Sequence, residues 1–288
     1  MRHLIQIAAA STLSFCLFAP SLRAQGDDVA FDFRQTETRK TPGKTTTTET
    51  TGHAVMSKGR MRMDMTGSGA PAQIPGFGPG STFTMILPDN GRTFILLSAE
   101  KKQYMQVNPS AMMEGMQKMM EGMGQKMAME ISGDDPKVEN LGKGPDVMGH
   151  HTAHWRMTTN TQVRFGIMGQ NQEMGLANVS DMFIATDMKN LPNPFRGLQR
   201  NPIVDMFGDA AKDYMAKTEA ATKKLPEGAP LRIESHGKMR NARAETDVSS
   251  VMEVTAIRKI NAKDEMFAIP AGYTQMQMPM MPGVGKTR

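Results

Sequence analysis

Apolar and polar residues alternate with a period of two along much of this chain, and this pattern predicts strands with one buried face. In residues 60–65 methionine alternates with charged residues, and residues 231–240 alternate in the same way. Further strands are predicted at 29–35, 45–56, 82–87, 92–98, 103–107, 151–159, 182–187 and 251–260. Eight or more strands predict a large, predominantly antiparallel sheet that is wide enough to curl.

Two helices are predicted to interrupt this sheet, which makes the fold class α+β. The first covers about residues 109–129, where methionines recur at helical spacing although three glycines weaken the helix. The second covers about residues 202–224 and begins with the capping sequence Asn201-Pro202. After the N-terminal segment discussed next, about 264 residues remain, which suits one large β-rich domain or two small ones.

Residues 1–24 are predicted to be a cleaved signal peptide. Arg2 precedes a mostly apolar run, and Ala24 offers a small residue for cleavage. A membrane anchor is the less favoured alternative, because polar residues interrupt the run before it reaches the roughly 20 apolar residues that a spanning helix needs. Cys16, the single cysteine, lies in this run, so the mature chain would contain no disulfide. We expect a periplasmic or secreted protein without a transmembrane segment in the mature chain.

Charge and motifs exclude several classes of function. The formal net charge of +5 falls to +3 when Arg2 and Arg23 leave with the signal peptide, and no stripe of basic and aromatic residues predicts nucleic-acid binding. Two Gly-Lys-Thr sequences lack the first glycine of a phosphate-binding loop. No catalytic motif is present either, so we expect no enzyme activity, no catalytic residue and no cofactor.

Methionine is the unusual part of the composition, with 30 among 288 residues. Six methionines at helical spacing in the first predicted helix are the predicted ligand-binding residues: Met112, Met116, Met119, Met120, Met123 and Met127. Such a stripe is most often part of a fixed core. Because methionine is flexible and specifies packing poorly, the stripe would also suit the lining of an apolar cavity that adapts to acyl chains or to a hydrophobic client.

Thioether sulfur also binds soft metals such as Cu(I), which gives the methionines a third interpretation. The strand at 60–65, the first predicted helix and the tail at 276–288 could each supply sulfur ligands. In the strand the three methionines share one face, which core packing explains better. The tail is predicted to be unstructured, so packing does not explain its four methionines, Met276, Met278, Met280 and Met281.

Three histidines in the sequence His150-His151-Thr152-Ala153-His154 look like a metal site. On a strand, however, His150 and His154 would lie about 13 Å apart on one face, and His151 would point to the other face. We expect no acidic partner near them, so a metal site is not favoured here.

Five short segments, taken in order, resemble a bacterial family known as domain of unknown function 4412, whose members look like the lipoprotein-carrier folds LolA and LolB. The segments are Lys58-Gly59-Arg60-Met61-Arg62-Met63, then Lys102-Gln103-Tyr104, then Leu141-Gly142 with Gly149-His150 and His154-Trp155-Arg156, then Ile184-Ala185-Thr186-Asp187-Met188, and finally Phe267-Ala268-Ile269-Pro270-Ala271-Gly272-Tyr273. The resemblance implies a single domain over residues 25–275, a half-barrel with two helices packed on or over its concave face. This chain departs from the family in its methionine content, in a Gly- and Pro-rich loop at 67–81, and in having Phe183 where tryptophan is expected.

These observations lead to three hypotheses about function. The first is a periplasmic carrier that binds a lipid, an acyl chain or a hydrophobic client. The second is a Met-rich protein that binds Cu(I) or Ag(I), and the third is a non-catalytic protein that binds another envelope protein. The sequence leaves the oligomeric state open.

Overall fold

The computed structural model describes residues 28–67, 82–89, 93–108, 128–167, 170–189, 211–241 and 244–276, together with residues 111, 114, 115, 118, 121 and 122. Within these ranges thirteen strands form one sheet that is curved, open and mostly antiparallel. The strands are β1 Val29–Thr41, β2 Lys44–Ser57, β3 Arg60–Gly67, β4 Thr82–Leu87, β5 Phe94–Ser98, β6 Gln103–Val107, β7 Ala128–Gly133, β8 Lys137–Lys143, β9 Thr152–Ile167, β10 Gln170–Ala185, β11 Ala229–Asn241, β12 Glu245–Lys259 and β13 Thr274–Gln275.

Strand β1 lies inside the sheet, because it pairs with β2 on one side and with β12 on the other. Strands β2 to β6 continue as a meander on the first side, and β12, β11, β10 and β9 follow one another on the second. Strands β7 and β8 pair with successive parts of β9 and form one edge of the sheet. At the other edge β13 pairs in parallel with β6. The prediction of a large, predominantly antiparallel sheet is confirmed.

Some strand predictions differ from the structure at their bounds. The predictions for β4 and β6 match, whereas β10 begins at Gln170 rather than near residue 182. It begins with four polar residues and has only Met174 and Leu176 as large apolar residues in its first half, which is too short an alternation to mark a strand. Strands β7 and β8 are absent from the predictions, because an edge strand such as β8 is exposed along most of its length and has no apolar face.

The structure gives bounds for one of the two predicted helices. Helix α1, Lys212–Thr222, is shorter than the prediction of 202–224, and residues 201–210 lie outside the described part of the chain. The helix buries Tyr214 and Ala221 and contacts β7 and β8.

The first predicted helix extends too far at its C-terminal end. Residues 128 and 129 belong to β7, where pairing with β9 takes the place of helical hydrogen bonds. Across the described residues, no helix combines the length and the apolar character that a membrane crossing requires.

One face of the sheet carries the larger part of the core and is called the Met-rich face below. Val29, Phe31 and Phe33 of β1 lie in its middle, and all three are buried. Seven buried methionines from β2, β3, β9, β10 and β12 lie around them: Met56, Met61, Met63, Met65, Met157, Met182 and Met252. The prediction that the methionines of β3 share a face is confirmed, and that face is buried.

The opposite face carries a second, smaller apolar cluster. Ala30, Val55, Ile86, Ile95 and Leu97 form it on strands β1, β2, β4 and β5. The chain after β12 crosses back over this cluster and covers it with a 3₁₀ turn, Asp264–Phe267, whose phenylalanine is buried among the strand residues.

Two arginines of β3 hold this returning segment in place. Arg62 donates a hydrogen bond to the carbonyl oxygen of Met266 at 3.3 Å. The guanidinium of Arg60 binds Asp264 at 2.8 Å and lies 4.4 Å from the centre of the Phe267 ring. The segment then continues to Met276, whose N–H donates to the carbonyl oxygen of Tyr104 at 2.7 Å.

Two glycines explain local features of the first strands. The turn between β2 and β3 places Lys58 and Gly59 at φ of 48° and 80°, the left-handed region that a tight hairpin of this kind requires. Gly52 of β2 lies against the ring of Phe33, and a Cβ atom there would come within 2.3 Å of the ring. A glycine at this position therefore lets the Phe33 ring lie across the neighbouring strand.

We predict that Phe267→Ala lowers the free energy of unfolding by about 3–5 kcal/mol, because it removes the side chain that covers the smaller cluster. Asp264→Asn is the control, since the Asp264 side chain is largely exposed and its ion pair with Arg60 should contribute little. Urea denaturation of the two variants and the parent protein measures both effects. If both variants lost the same free energy of unfolding, burial of the Phe267 side chain would not be what fixes the segment after β12.

Candidate functional site

The predicted ligand-binding methionines Met112, Met116, Met119, Met120, Met123 and Met127 all lie outside the described residues. The described residues of the same stretch have helical backbone and are exposed; they are Ala111, Glu114, Gly115, Lys118, Glu121 and Gly122. The assignment of the six methionines to a ligand therefore stays a prediction.

The Met-rich face brings together methionines that the sequence analysis did not connect. The strand register places Met56 beside Met61 and Met63 beside Met85, so β2, β3 and β4 form one group. On the other side of β1, the register aligns Met252, Ile233, Met182 and Trp155 across four strands. Met157, Met182 and Met252 come from sequence positions far apart, so only the sheet topology shows that they share a surface.

Farther along β9 to β12 the same face changes from apolar to hydroxyl-bearing side chains. Thr159 and Thr161 follow Met157 on β9, and Ser180 and Ser235 lie on the neighbouring strands; all four are buried. The hydroxyls of Ser180 and Ser235 are 2.9 Å apart and form a hydrogen bond. Within the described part of the chain, the hydroxyls of Thr159 and Thr161 have no hydrogen-bond partner.

The opposite face of β9 to β12 carries charged side chains and is called the charged face below. At its centre Arg156 donates two hydrogen bonds to Asp181, from Nε to Oδ1 at 2.9 Å and from Nη2 to Oδ2 at 3.0 Å. Nε2 of His154 lies 2.8 Å from Oδ1 of the same carboxylate, and its ring stacks on Phe183 with 4.7 Å between ring centres. The Asp181 side chain is only 13% exposed.

The pKa of Asp181 shows how strongly this carboxylate is held. Burial by itself would raise the pKa of Asp181, but the hydrogen bonds and charges of Arg156 and His154 outweigh burial and lower it overall. The same balance acts on Asp64 of β3. Burial alone would raise the pKa of Asp64, but hydrogen bonds from Arg62 and Thr84 outweigh burial and lower this pKa overall. Asp181 on the charged face and Asp64 on β3 are therefore both stabilised in their ionised form by an arginine and a second hydrogen-bonding side chain.

Each of the three clustered histidines has a different aspartate partner. Nδ1 of His150 lies 2.8 Å from Asp187, and Nδ1 of His151 lies 2.7 Å from Asp146. His154 binds Asp181. The expectation that no acidic residue lies near these histidines is wrong, because two of the aspartates come from or just after β10 and reach the histidines only through strand pairing. Among the described residues no group of three His, Cys, Asp or Glu side chains could hold a metal ion.

Of the residues of the Cu(I) alternative, the structure describes the methionines of β3 and Met276. Met61, Met63 and Met65 pack within the buried core. Met276 continues the backbone pairing with Tyr104 beyond β13, so the pairing reaches the first residue of the predicted tail. Met278, Met280 and Met281 lie outside the described residues, so metal binding by the tail stays a prediction.

A polar cavity of about 530 Å³ lies at the far end of β9 to β12. Its lining includes Lys238, Arg240 and Glu245, and the arginine binds the glutamate at 2.7 Å. Lys238 lies 3.6 Å from the same carboxylate. Glu173 also lines the cavity, so its two cations and two carboxylates give no net charge that would select a ligand.

Comparison with known proteins gives one family and several distant structures. The profile of the family described as "Domain of unknown function (DUF4412)" matches residues 42–273. No curated protein matches the chain.

Similar solved structures include a DUF1329 family protein from Desulfovibrio piger, with 8% identity, a TM-score of 0.28, and 85% of this chain and 90% of that chain covered. A putative outer membrane lipoprotein-sorting protein domain from Vibrio parahaemolyticus has 9% identity, a TM-score of 0.27, and 84% and 89% coverage. MucB in complex with MucA(peri) has 8% identity, a TM-score of 0.20, and 81% and 94% coverage.

We predict that Asp181→Asn lowers the free energy of unfolding at pH 7 by about 1–3 kcal/mol, because Arg156 and His154 lose a charged partner. The pKa of Asp181 is lower in the folded chain than the value of about 3.9 expected when unfolded, so its carboxylate stabilises the fold above about pH 4. This contribution is lost as the pH falls through the folded pKa, and the two proteins should then converge in stability. Urea denaturation at neutral and acidic pH measures the difference.

Asp146→Asn is the matched control, because its carboxylate also binds a histidine but is half exposed. We expect little change in stability for this variant at any pH. A difference between the parent protein and Asp181→Asn that stays constant from neutral to acidic pH would contradict the role of the ionised carboxylate.

Proposed function

This chain belongs to the DUF4412 family, and from the chemistry of its Met-rich face we propose that it is an exported carrier that binds the apolar part of a lipid, an acyl chain or a hydrophobic client. The observation that carries the proposal is the concentration of methionine on one face of the sheet. In this proposal the protein holds its ligand without changing it chemically. The predicted signal peptide at residues 1–24 supports export to the periplasm or secretion.

Methionine is an unusual residue at buried positions of a strand. Strands favour β-branched and aromatic side chains, which pack well on a pleated surface and have few rotamers. Met63, Met157 and Met182 occupy such positions instead and are at most 1% exposed. Because methionine has three rotatable bonds and a polarizable sulfur, it fills irregular space and can repack around different apolar shapes. A face built this way can adapt to hydrocarbon that enters it.

The rest of the face supports the same function. Phe31 and Phe33 of β1, whose rings are 6.1 Å apart, form a fixed floor between the two groups of methionines. A ligand that enters against this floor would lose apolar surface to the protein, at roughly 25 cal/mol per Å². The six methionines of the stretch at 109–129 would then contribute from the connection between β6 and β7, as the sequence analysis predicts.

We predict that the combined variant Met157→Leu, Met182→Leu and Met252→Leu stays folded but binds a fluorescent long-chain fatty acid about tenfold more weakly. Each change conserves volume and should cost less than about 1.5 kcal/mol of stability, while the branched side chains repack less readily. Met266→Leu is the control, since Met266 packs on the smaller cluster of the opposite face. Fluorescence titration measures the affinity, and equal affinity in all three proteins would contradict the proposal.

For the predicted ligand-binding stretch, replacing Met116, Met119, Met120 and Met123 by Gln should abolish uptake of the same probe, because an amide in an apolar lining loses its hydration. Glu114→Gln with Lys118→Gln is the control, since both residues lie in the same stretch and are exposed. Retained uptake in the methionine variant would remove this stretch from the site.

A further inference from the structure

Three buried hydroxyls on and beside the Met-rich face have no hydrogen-bond partner among the described residues. They are the Oγ1 atoms of Thr159 and Thr161 and the phenolic oxygen of Tyr214. These residues are only 3%, 4% and 6% exposed. A buried polar group without a partner is costly, so most folds pair such groups or replace them by apolar side chains.

The fold places these hydroxyls next to the apolar part of the face. Thr159 and Thr161 alternate with outward residues on β9 and continue the row that begins with Met157. Helix α1, which carries Tyr214, lies against β7 and β8, the two strands that pair with β9 on either side of Asn160.

Two further contacts fix the helix at this position. Lys217, one turn after Tyr214, binds Asp135 at 2.8 Å in the break between β7 and β8. In the same break the N–H of Asp134 donates to the carbonyl oxygen of Asn160 at 3.1 Å. Tyr214 therefore lies on a helix that is anchored at the break between β7 and β8, and this break is bonded to β9 at Asn160, the residue between the two threonines.

The surroundings of the hydroxyls carry little charge. Strand alternation puts the charged residues of β9, β10 and β11 on the charged face, where Arg156, Asp181 and Arg232 lie. The charged residues of β12 between Glu245 and Glu253 lie on the same face. Glu37 and Arg39, which β1 places on the Met-rich side, bind each other at 3.1 Å. Among the described residues, no unpaired cation therefore lies on the Met-rich side of β1, of β9 to β11 or of this part of β12 to receive an anionic group.

We propose that Thr159, Thr161 and Tyr214 bind the uncharged polar head of an acyl ester or acyl amide whose hydrocarbon chain lies on the Met-rich face. This inference rests on the proposed function and specifies the chemical class of its ligand. Each hydroxyl can donate or accept, so together they match ester or amide carbonyls and the hydroxyls of a glycerol head. A carboxylate or phosphate head would enter a buried region to which the described part of these strands offers no unpaired cation, and this costs much more than burial of a neutral head.

The test compares mono-oleoylglycerol with oleate, two probes with the same hydrocarbon chain, in displacing a fluorescent fatty acid from the full mature protein. We expect the parent protein to bind mono-oleoylglycerol about tenfold more tightly than oleate. The double variant Thr159→Val and Thr161→Val should lose most of this preference by weakening the binding of mono-oleoylglycerol alone. Tyr214→Phe should act in the same direction.

Thr158→Val is the matched control, because Thr158 lies on the same strand with its side chain on the opposite face. It should keep the full preference for mono-oleoylglycerol. The valine double variant should unfold at an equal or higher urea concentration than the parent protein, since it removes two unpaired hydroxyls and keeps the shape of the side chains.

Each outcome decides one of the two proposals. If the parent protein binds neither probe, the carrier function itself fails, and the inference fails with it. If it binds both probes with equal affinity, or binds oleate better, the carrier function stands and the neutral-head inference is overturned. A preference that survives unchanged in the valine double variant also overturns the assignment to these hydroxyls.

Discussion

Strand β1 is buried on both of its faces, and this constraint shapes the rest of the molecule. Val29, Ala30 and Phe31 are consecutive residues and are at most 2% exposed, so each face of the sheet needs a cover at this point. On one side the Met-rich face supplies the larger core. On the other side the chain must return after β12 to place Phe267 over the smaller cluster. Because β1 also pairs with β12, the first and last long strands of the sheet depend on each other for their position.

This arrangement separates two kinds of chemistry across one sheet. Strands β9 to β12 point methionines and small hydroxyls to one side, and arginines, histidines and carboxylates to the other. The charged face is internally paired, as the contacts of Asp181 with Arg156 and His154 show. The charges of this face therefore pair with one another across the strands. On the Met-rich face, the hydroxyls of Thr159 and Thr161 have no hydrogen-bond partner within the described ranges. The distribution explains why we assign ligand binding to the side with less charge.

The sequence predicts the strands that have one apolar face and misses those that do not. Alternation identifies β3 because its buried positions are methionines that alternate with charged residues, whereas β8 has no such contrast. The pairs His154–Asp181 and His150–Asp187 join residues that are 27 and 37 positions apart, so no local pattern shows them. The same reasoning applies to Met157, Met182 and Met252, which only strand order brings together. The sequence alone thus shows that methionine is unusually frequent, but the strand order is needed to show which methionines form one surface.

The two edges of the sheet have a further consequence for how copies of this protein meet. An exposed strand edge offers unpaired backbone groups to a neighbouring chain and invites aggregation. Here β13 occupies the free side of β6 at Gln103 and Tyr104, and the opposite edge is divided into β7 and β8 by a break that contains Pro136. Lys137 and Lys143 place positive charge at the ends of β8. Short, interrupted and charged edges of this kind hinder the pairing of a strand from a second molecule with either edge of the sheet.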